Sequence, residues 1–149
     1  MALGRMQDIG GCRAVLDSIP EVRRVERRVQ RAMSQRIGRA ARVSDYIEQP
    51  RHSGYRGVHL IVIYDGRDIE VQLRTQTMHQ WAIAVERLSG RIRGDLKGGR
   101  GPAELLEWLE AASEAMAIEE EGQVVDQERL DRLTELHRAA LPWVSGGRQ

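Results

Sequence analysis

The chain of 149 residues predicts an α+β (α/β) fold, a small mixed β-sheet flanked by helices, with further helices at the C-terminal end. Three observations carry this. Asp65-Gly66 separates two strand-like runs, and Asp-Gly is a strong two-residue hairpin signal because both positions must tolerate positive φ. From Arg67 to Arg74 the residues alternate, with Ile69, Val71 and Leu73 on one side and Asp68, Glu70, Gln72 and Arg74 on the other. Apolar residues at helical spacing recur before and after the hairpin, so the order is strand, helix, hairpin, helix, then two more helices.

Ile9 to Leu16 is small and apolar and reads as a strand that begins directly after Asp8. Ser18 and Pro20 mark a helix start, and Val22, Val25, Val29 and Met33 then give one apolar stripe. Arg23, Arg24, Arg27, Arg28 and Arg31 cover the remainder as a basic outer face. Ile37 to Val43 is compatible with a short helix or a strand. Val58 to Tyr64 forms the first hairpin strand and Arg67 to Arg74 the second. Met78, Trp81, Ala82, Val85 and Leu88 define a helix running to about Ser89-Gly90. Gly94 to Pro102, rich in Gly, reads as a mobile break. Ala103 to Ile118 is an acidic amphipathic helix with Leu105, Leu106, Leu109, Ala112 and Met116 inward. Glu119 to Gln123 is a charged turn, and Gln127 to Ala140 a last helix through Leu130, Leu133 and Leu136, with Trp143 capping the core and Ser145 to Gln149 frayed. The expected organisation is a core over 1–93, a linker over 94–102 and a helical extension over 103–149.

Composition bounds the chemistry. Aromatics are 4% with no Phe, so the core must rest on aliphatic residues and Met. The formal charge of +1 conceals an asymmetry: residues 1–60 carry 12 Arg and 6 acids, residues 101–149 carry 4 Arg and 11 acids. A basic first half suits an anionic ligand, and an acidic tail suits a solvated face or a partner surface. Of 23 basic residues only Lys97 is Lys. Arg binds phosphate bidentately and stays charged, although codon bias would produce the same excess. The single cysteine, Cys12, excludes an internal disulfide and a Cys-based zinc site, and its apolar neighbours predict a small buried residue. His52, His59, His79 and His137 lack zinc-site spacing. No apolar run reaches membrane-spanning length and no signal peptide is evident, so a cytoplasmic protein is expected. A Walker loop and a Gly-x-Gly-x-x-Gly run are both missing, which leaves phosphate binding to side chains.

Asp8 and Glu70 are the natural carboxylate pair for one Mg²⁺, which takes about two carboxylates with phosphate oxygens and water. Glu70 is the stronger candidate because it shares a strand face with Gln72 and Arg74. Tyr55, in a loop after Ser53-Gly54, is expected to be exposed and to offer a plate on which a base can stack. His59 and His79 each sit in a polar cluster, as structural hydrogen-bond partners or as site residues.

Four ordered motifs carry a resemblance. Asp8-Ile9-Gly10-Gly11-Cys12-Arg13, Asp45-Tyr46-Ile47-x-x-Pro50, Ser53-Gly54-Tyr55-Arg56-x-x-His59 and Glu70-Val71-Gln72-Leu73-Arg74-Thr75 resemble the synthetase domain of RelA/SpoT proteins in order and spacing. Met78-His79-Gln80-Trp81-Ala82 resembles the helix that follows in small stand-alone members, and the match covers roughly residues 5–90. Nothing resembles the His-Asp pair of the family's hydrolase domain, which implies a synthetase-only member.

The resemblance implies a nucleotidyltransferase-like mixed sheet and transfer of pyrophosphate from ATP to a ribose 3′-hydroxyl of GDP or GTP, giving (p)ppGpp. It implies Mg²⁺ at Asp8 and Glu70, with Glu70 as metal ligand or base, and Tyr55 stacked on the acceptor base. Arg13, Arg42, Arg51, Arg56, Arg74, Gln72, His59 and His79 would contact phosphates or order the site. Some small members modify the 3′ end of tRNA instead, and a basic rim from Arg23 to Arg39 suits tRNA phosphates. The chain starts seven residues before Asp8, where family domains carry further helical sequence, so an amino-terminally short core and an inactive nucleotide-binding or regulatory module are the other readings. A homo-oligomer or an antitoxin partner is compatible with such a member; a membrane is not expected.

Overall fold

A computed structural model describes residues Gly10 to Gly146. In chain order the elements are β1 (Gly11–Leu16), α1 (Ile19–Ile37), β2 (Arg42–Asp45), β3 (Val58–Tyr64), β4 (Arg67–Thr75), α2 (Gln76–Ile92), α3 (Ala103–Glu120) and α4 (Gln127–Val144). They divide into two compact units. The first holds residues up to Gln49 together with Gly57–Gln76, and the second holds Pro50–Arg56 together with residues from Thr77 onward.

The first unit is a four-stranded mixed sheet in the order β1-β4-β3-β2 with α1 against it. Both turn residues of the hairpin have positive φ, Asp65 at 50° and Gly66 at 70°, as the Asp-Gly signal requires. β1 runs parallel to β4, and the other two pairings are antiparallel. Helix α1 starts where predicted: the Ser18 hydroxyl accepts from the Glu21 amide at 3.3 Å, and Pro20 occupies the first turn. It stops at Gly38, whose φ of 75° makes the left-handed cap that other residues adopt at a cost. The ambiguous 37–43 stretch is therefore divided, with Ile37 ending α1 and Arg42 opening β2. The core is formed by Val22 and Met33 of α1 with Val58, Leu60 and Leu73 of the sheet and Ala41, framed by half-buried Ala14, Leu16, Val25, Val29 and Val71. Cys12 is exposed, contrary to expectation, because β1 is an edge strand and its apolar run does not by itself say which face is covered.

Asp45 ties β2 to α1. Its Oδ2 accepts from the Arg23 guanidinium at 2.6 Å, and its Oδ1 accepts from the amides of Ile47 and Glu48 at 3.0 and 3.1 Å.

In the second unit, α2 buries the expected stripe of Met78, Trp81, Ala82, Val85 and Leu88 and continues to Ile92. The Trp81 indole donates to the Leu109 carbonyl of α3 at 3.1 Å. α3 turns Leu105, Leu109 and Ser113 inward, while Leu106, Ala112 and Met116 are half-buried. α4 packs on α3, starts at the Asp126 cap and runs through Pro142 to Val144, past the expected end at Ala140. The Gly94–Pro102 stretch is a hydrogen-bonded turn where a mobile break was expected. Asp95 and Arg100 exchange backbone hydrogen bonds of 3.1 and 2.8 Å, and Leu96 is fully buried and anchors the turn.

The Asp45 contacts set a pH dependence. Burial alone would raise its carboxyl, but the Arg23 hydrogen bond, the two amides and the guanidinium charge outweigh burial and hold it below the usual range. A carboxyl lowered in the folded state contributes stability above its unfolded value, ~3.9, and that stability is lost as pH falls through the lower folded value. The urea midpoint of the wild type should therefore fall more steeply below about pH 4 than that of Asp45→Asn. Equal acid limbs would show that Asp45 contributes nothing through its charge.

Candidate active site

In the first unit the sheet register gathers the polar residues. Arg13 on β1 pairs with Gln72 on β4, and Gln72 pairs with His59 on β3, so three strands place these residues in one row. The two-residue period puts Glu70 and Arg74 on either side of Gln72 on the same face. Gln72 is the hub. Its Oε1 accepts from Arg13 Nε at 3.3 Å and from an Arg74 terminal nitrogen at 3.1 Å, and its Nε2 donates to Glu70 Oε2 at 2.8 Å. His59 Nδ1 lies 2.9 Å from Glu70 Oε1, and the Tyr46 ring packs edge-on to His59 at 5.2 Å. Glu70 is thus oriented through both oxygens, by an amide on one and an imidazole on the other, while remaining partly open to solvent. Arg42 pairs with Asp68 at 2.9 Å, two residues before Glu70. Asp8 lies outside the described residues.

Arg74 is among the residues expected to contact phosphates or to order the site. It is fully buried and donates a hydrogen bond to Gln72 Oε1. Alternation assigned its face correctly; depth along the strand was invisible, because burial on β4 increases from Arg67 to Thr75.

In the second unit the Ser53-Gly54-Tyr55-Arg56 motif is a docking loop. All four residues are buried. Gly54 has φ of 88°, and a Cβ there would fall 2.9 Å from the Ser113 Cβ and 3.0 Å from the Glu110 Cα, so only glycine permits this approach to α3. The Ser113 hydroxyl donates to the Gly54 carbonyl at 2.5 Å, and the Ser53 hydroxyl donates to the Lys97 carbonyl at 2.8 Å. Arg56 pairs with Glu120 at the end of α3 at 3.0 Å, both side chains nearly buried. Tyr55 is fully buried, where its loop position predicted an exposed ring. Its ring lies 6.5 Å from Trp81, with Arg51 and Lys97 at 5.7 and 5.0 Å from its centre. A loop residue is exposed only if nothing covers it, and here Trp81 and Lys97 lie far from Tyr55 in sequence. His79 is half-buried on α2, and its Nδ1 is buried without a hydrogen-bond partner among the described residues. Lys97, Glu86 and Glu120 escaped the sequence reading; only the singularity of Lys97 among the basic residues signalled any of them.

Comparison with known proteins follows the same motifs. Residues 2–87 match the family described as "Region found in RelA / SpoT proteins". The GTP pyrophosphokinase YjbM of Bacillus subtilis is 28% identical over 118 residues, covering 74% of this chain and 52% of the relative. A probable chloroplastic GTP diphosphokinase of Arabidopsis thaliana, RSH3, is 29% identical over 110 residues, covering 72% of this chain and 15% of the relative. The chain therefore spans about half the length of the Bacillus relative and a small part of the plant one. The small alarmone synthetase 1 of B. subtilis, solved bound to its product pppGpp, superposes with a TM-score of 0.59 at 25% identity, over 88% of this chain and 64% of that one. A GTP pyrophosphokinase family protein of Streptococcus pneumoniae has the same TM-score at 26% identity, over 89% and 64%. The α+β class is that of these neighbours, and the chain belongs to the RelA/SpoT family.

The burial of Tyr55 has a measurable consequence. Tyr55→Ala should lower the unfolding free energy by about 3–5 kcal/mol, as for large aromatic truncations in a core. Urea denaturation of the full chain measures it, and an unchanged midpoint would return Tyr55 to the surface.

Proposed function

We propose that this RelA/SpoT-family chain is a pyrophosphokinase that transfers the β,γ-pyrophosphoryl group of ATP to the 3′-hydroxyl of GDP or GTP. The hydroxyl oxygen forms a bond to the β-phosphorus, the bond from that phosphorus to the oxygen bridging the α-phosphate breaks, and AMP leaves. The hydroxyl proton passes to a carboxylate base. The observation that carries this reading is the Gln72-centred row, which presents one oriented, partly solvated carboxylate, Glu70, among guanidinium groups. Phosphoryl transfer demands positioning and charge neutralisation more than covalent chemistry from the protein, and such a row offers both. The names borne by the relatives support the same reaction class.

Within this reading Glu70 takes the proton, His59 and Gln72 hold its two oxygens in place, and Arg74 acts through Gln72. Arg13 and Arg42 stand on the flanking strands, where a polyphosphate could meet their charge. Mg²⁺ suits the donor chemistry: carboxylate oxygens are hard, and each retains lone pairs beyond the one hydrogen bond recorded here. Among the described residues no three His, Cys, Asp or Glu converge, which accords with an ion held by one or two carboxylates and completed by substrate phosphates and water. Glu70 and Asp8 would hold it, and it would neutralise phosphate charge. No helix among the described residues is long and apolar enough to cross a membrane, and we assign the reaction to the cytoplasm.

AMP release from ATP, measured with GDP, GTP or deacylated tRNA as acceptor, tests the reading. Glu70→Gln keeps shape and hydrogen-bonding reach but removes the base and the ligand charge, so turnover should fall at least ~100-fold with folding retained. Release with tRNA alone would reassign the acceptor. Release with none of the three by the wild type would leave a nucleotide-binding module.

A further inference from the structure

Glu70 is the group on which the proposed reaction turns, and its restraint can be followed outward within the first unit. Its Oε2 is held by the Gln72 amide, and its Oε1 lies 2.9 Å from His59 Nδ1. A carboxylate only accepts, so Nδ1 must carry the proton and point at that oxygen. Nothing intrinsic to histidine fixes this direction. Its χ2 torsion is broad and roughly two-fold, and a half-turn of the ring replaces Nδ1 by a carbon. Packing must select the orientation, and the His59 side chain is only 12% exposed.

Tyr46 is placed to select it. Its ring stands at 87° to the His59 ring with centroids 5.2 Å apart, the edge-to-face arrangement that aromatic pairs favour. The backbone under Tyr46 is fixed three times over. Its amide donates to the Gly57 carbonyl at 2.8 Å, which carries the antiparallel pairing one step past Asp45 and Val58. The Asp45 carboxylate accepts from the Ile47 and Glu48 amides and so braces the turn on its far side. The same carboxylate accepts from Arg23 at 2.6 Å, which ties the turn to α1. A half-buried ring on so constrained a segment makes a stiff wall for the imidazole.

We propose that Tyr46 is a positioning residue for this reaction: its ring holds the His59 imidazole in the orientation that keeps Nδ1 on Glu70. Without it the carboxylate keeps only the Gln72 restraint and pivots about Oε2. Tyr46 acts through His59 and not on substrate. Its part in catalysis rests on the reading of Glu70 as the base; the coupling of the two rings does not.

Tyr46→Leu removes the ring but keeps an apolar side chain, whereas Tyr46→Phe removes only the hydroxyl. In the full chain, kcat for AMP release should fall about tenfold in Tyr46→Leu with KM unchanged, because a misaimed base costs rate rather than binding. Tyr46→Phe should restore kcat to within about twofold of the wild type. Action through His59 has its own signature: Tyr46→Leu should cost nothing further in a His59→Ala background. Additive losses overturn the proposal. So does a Tyr46→Phe variant as slow as Tyr46→Leu, which would assign the effect to the hydroxyl, or a Tyr46→Leu variant with a lower urea midpoint and wild-type kcat. The tautomer is a readout free of turnover. At a pH where the His59 ring is neutral, two-bond proton–nitrogen correlation spectra should show the Nδ1–H form in the wild type and Tyr46→Phe, and a tautomer mixture in Tyr46→Leu. An unchanged spectrum in Tyr46→Leu overturns the coupling of the rings even where the wild type releases AMP. No AMP release by the wild type from any acceptor would instead sink the enzyme reading and the catalytic part of Tyr46, and the spectra would still decide the coupling.

Discussion

The two-residue period of β4 is the constraint on which the first unit depends. Val71 and Leu73 must face the core to bury the apolar side of the sheet, so Glu70, Gln72 and Arg74 must share the opposite face. A slip of one residue would exchange the two sets, expose the core and bury three polar side chains. The same requirement that holds the unit together thus fixes which face carries the polar row. Parallel pairing with β1 and antiparallel pairing with β3 then bring Arg13 and His59 to Gln72 from either side.

Within that row the energetics favour order over plasticity. Arg74 is buried, and a buried guanidinium is tolerated only where its donors find acceptors. The Gln72 carbonyl supplies one, which orients the amide so that its NH₂ group turns to Glu70. An amide can serve two guanidiniums through oxygen and a carboxylate through nitrogen at once; a carboxylate or a second guanidinium in its place could not. The chain thereby holds a partly exposed carboxylate, Glu70, on the polar face of the sheet.

The second unit uses polar residues differently. Its Ser-Gly-Tyr-Arg loop is inserted rather than displayed: a glycine permits contact with the α3 backbone, two hydroxyls satisfy buried carbonyls, and Arg56 meets Glu120 near the helix end, where the C-terminal dipole also favours a cation. Removing one partner of such a pair costs far more than the pair contributes, because the survivor is left charged and dry. The loop is in effect a wedge whose tip, Tyr55, is covered by Arg51 and Lys97.

By itself the sequence determined what is local. The Asp-Gly turn, the helix start at Ser18 and Pro20, the α2 stripe and the two faces of β4 all follow from periodicity and capping, which act over a few residues. The choice of Glu70, Gln72, Arg74, His59 and Arg13 as one cluster was legible because strand alternation and four ordered motifs point to it. Only the tertiary structure decided how deep each residue sits and what it meets. Tyr55 reads as exposed on its loop and is buried; Cys12 reads as buried on an apolar strand and is exposed; Arg74 shares the polar face of β4 and is nevertheless fully buried. Lys97, Glu86 and Glu120 acquire partners 11 to 64 positions away. Burial and ion pairing depend on which distant segments share a volume, and that is set by the packing of whole elements rather than by the residues that flank each position.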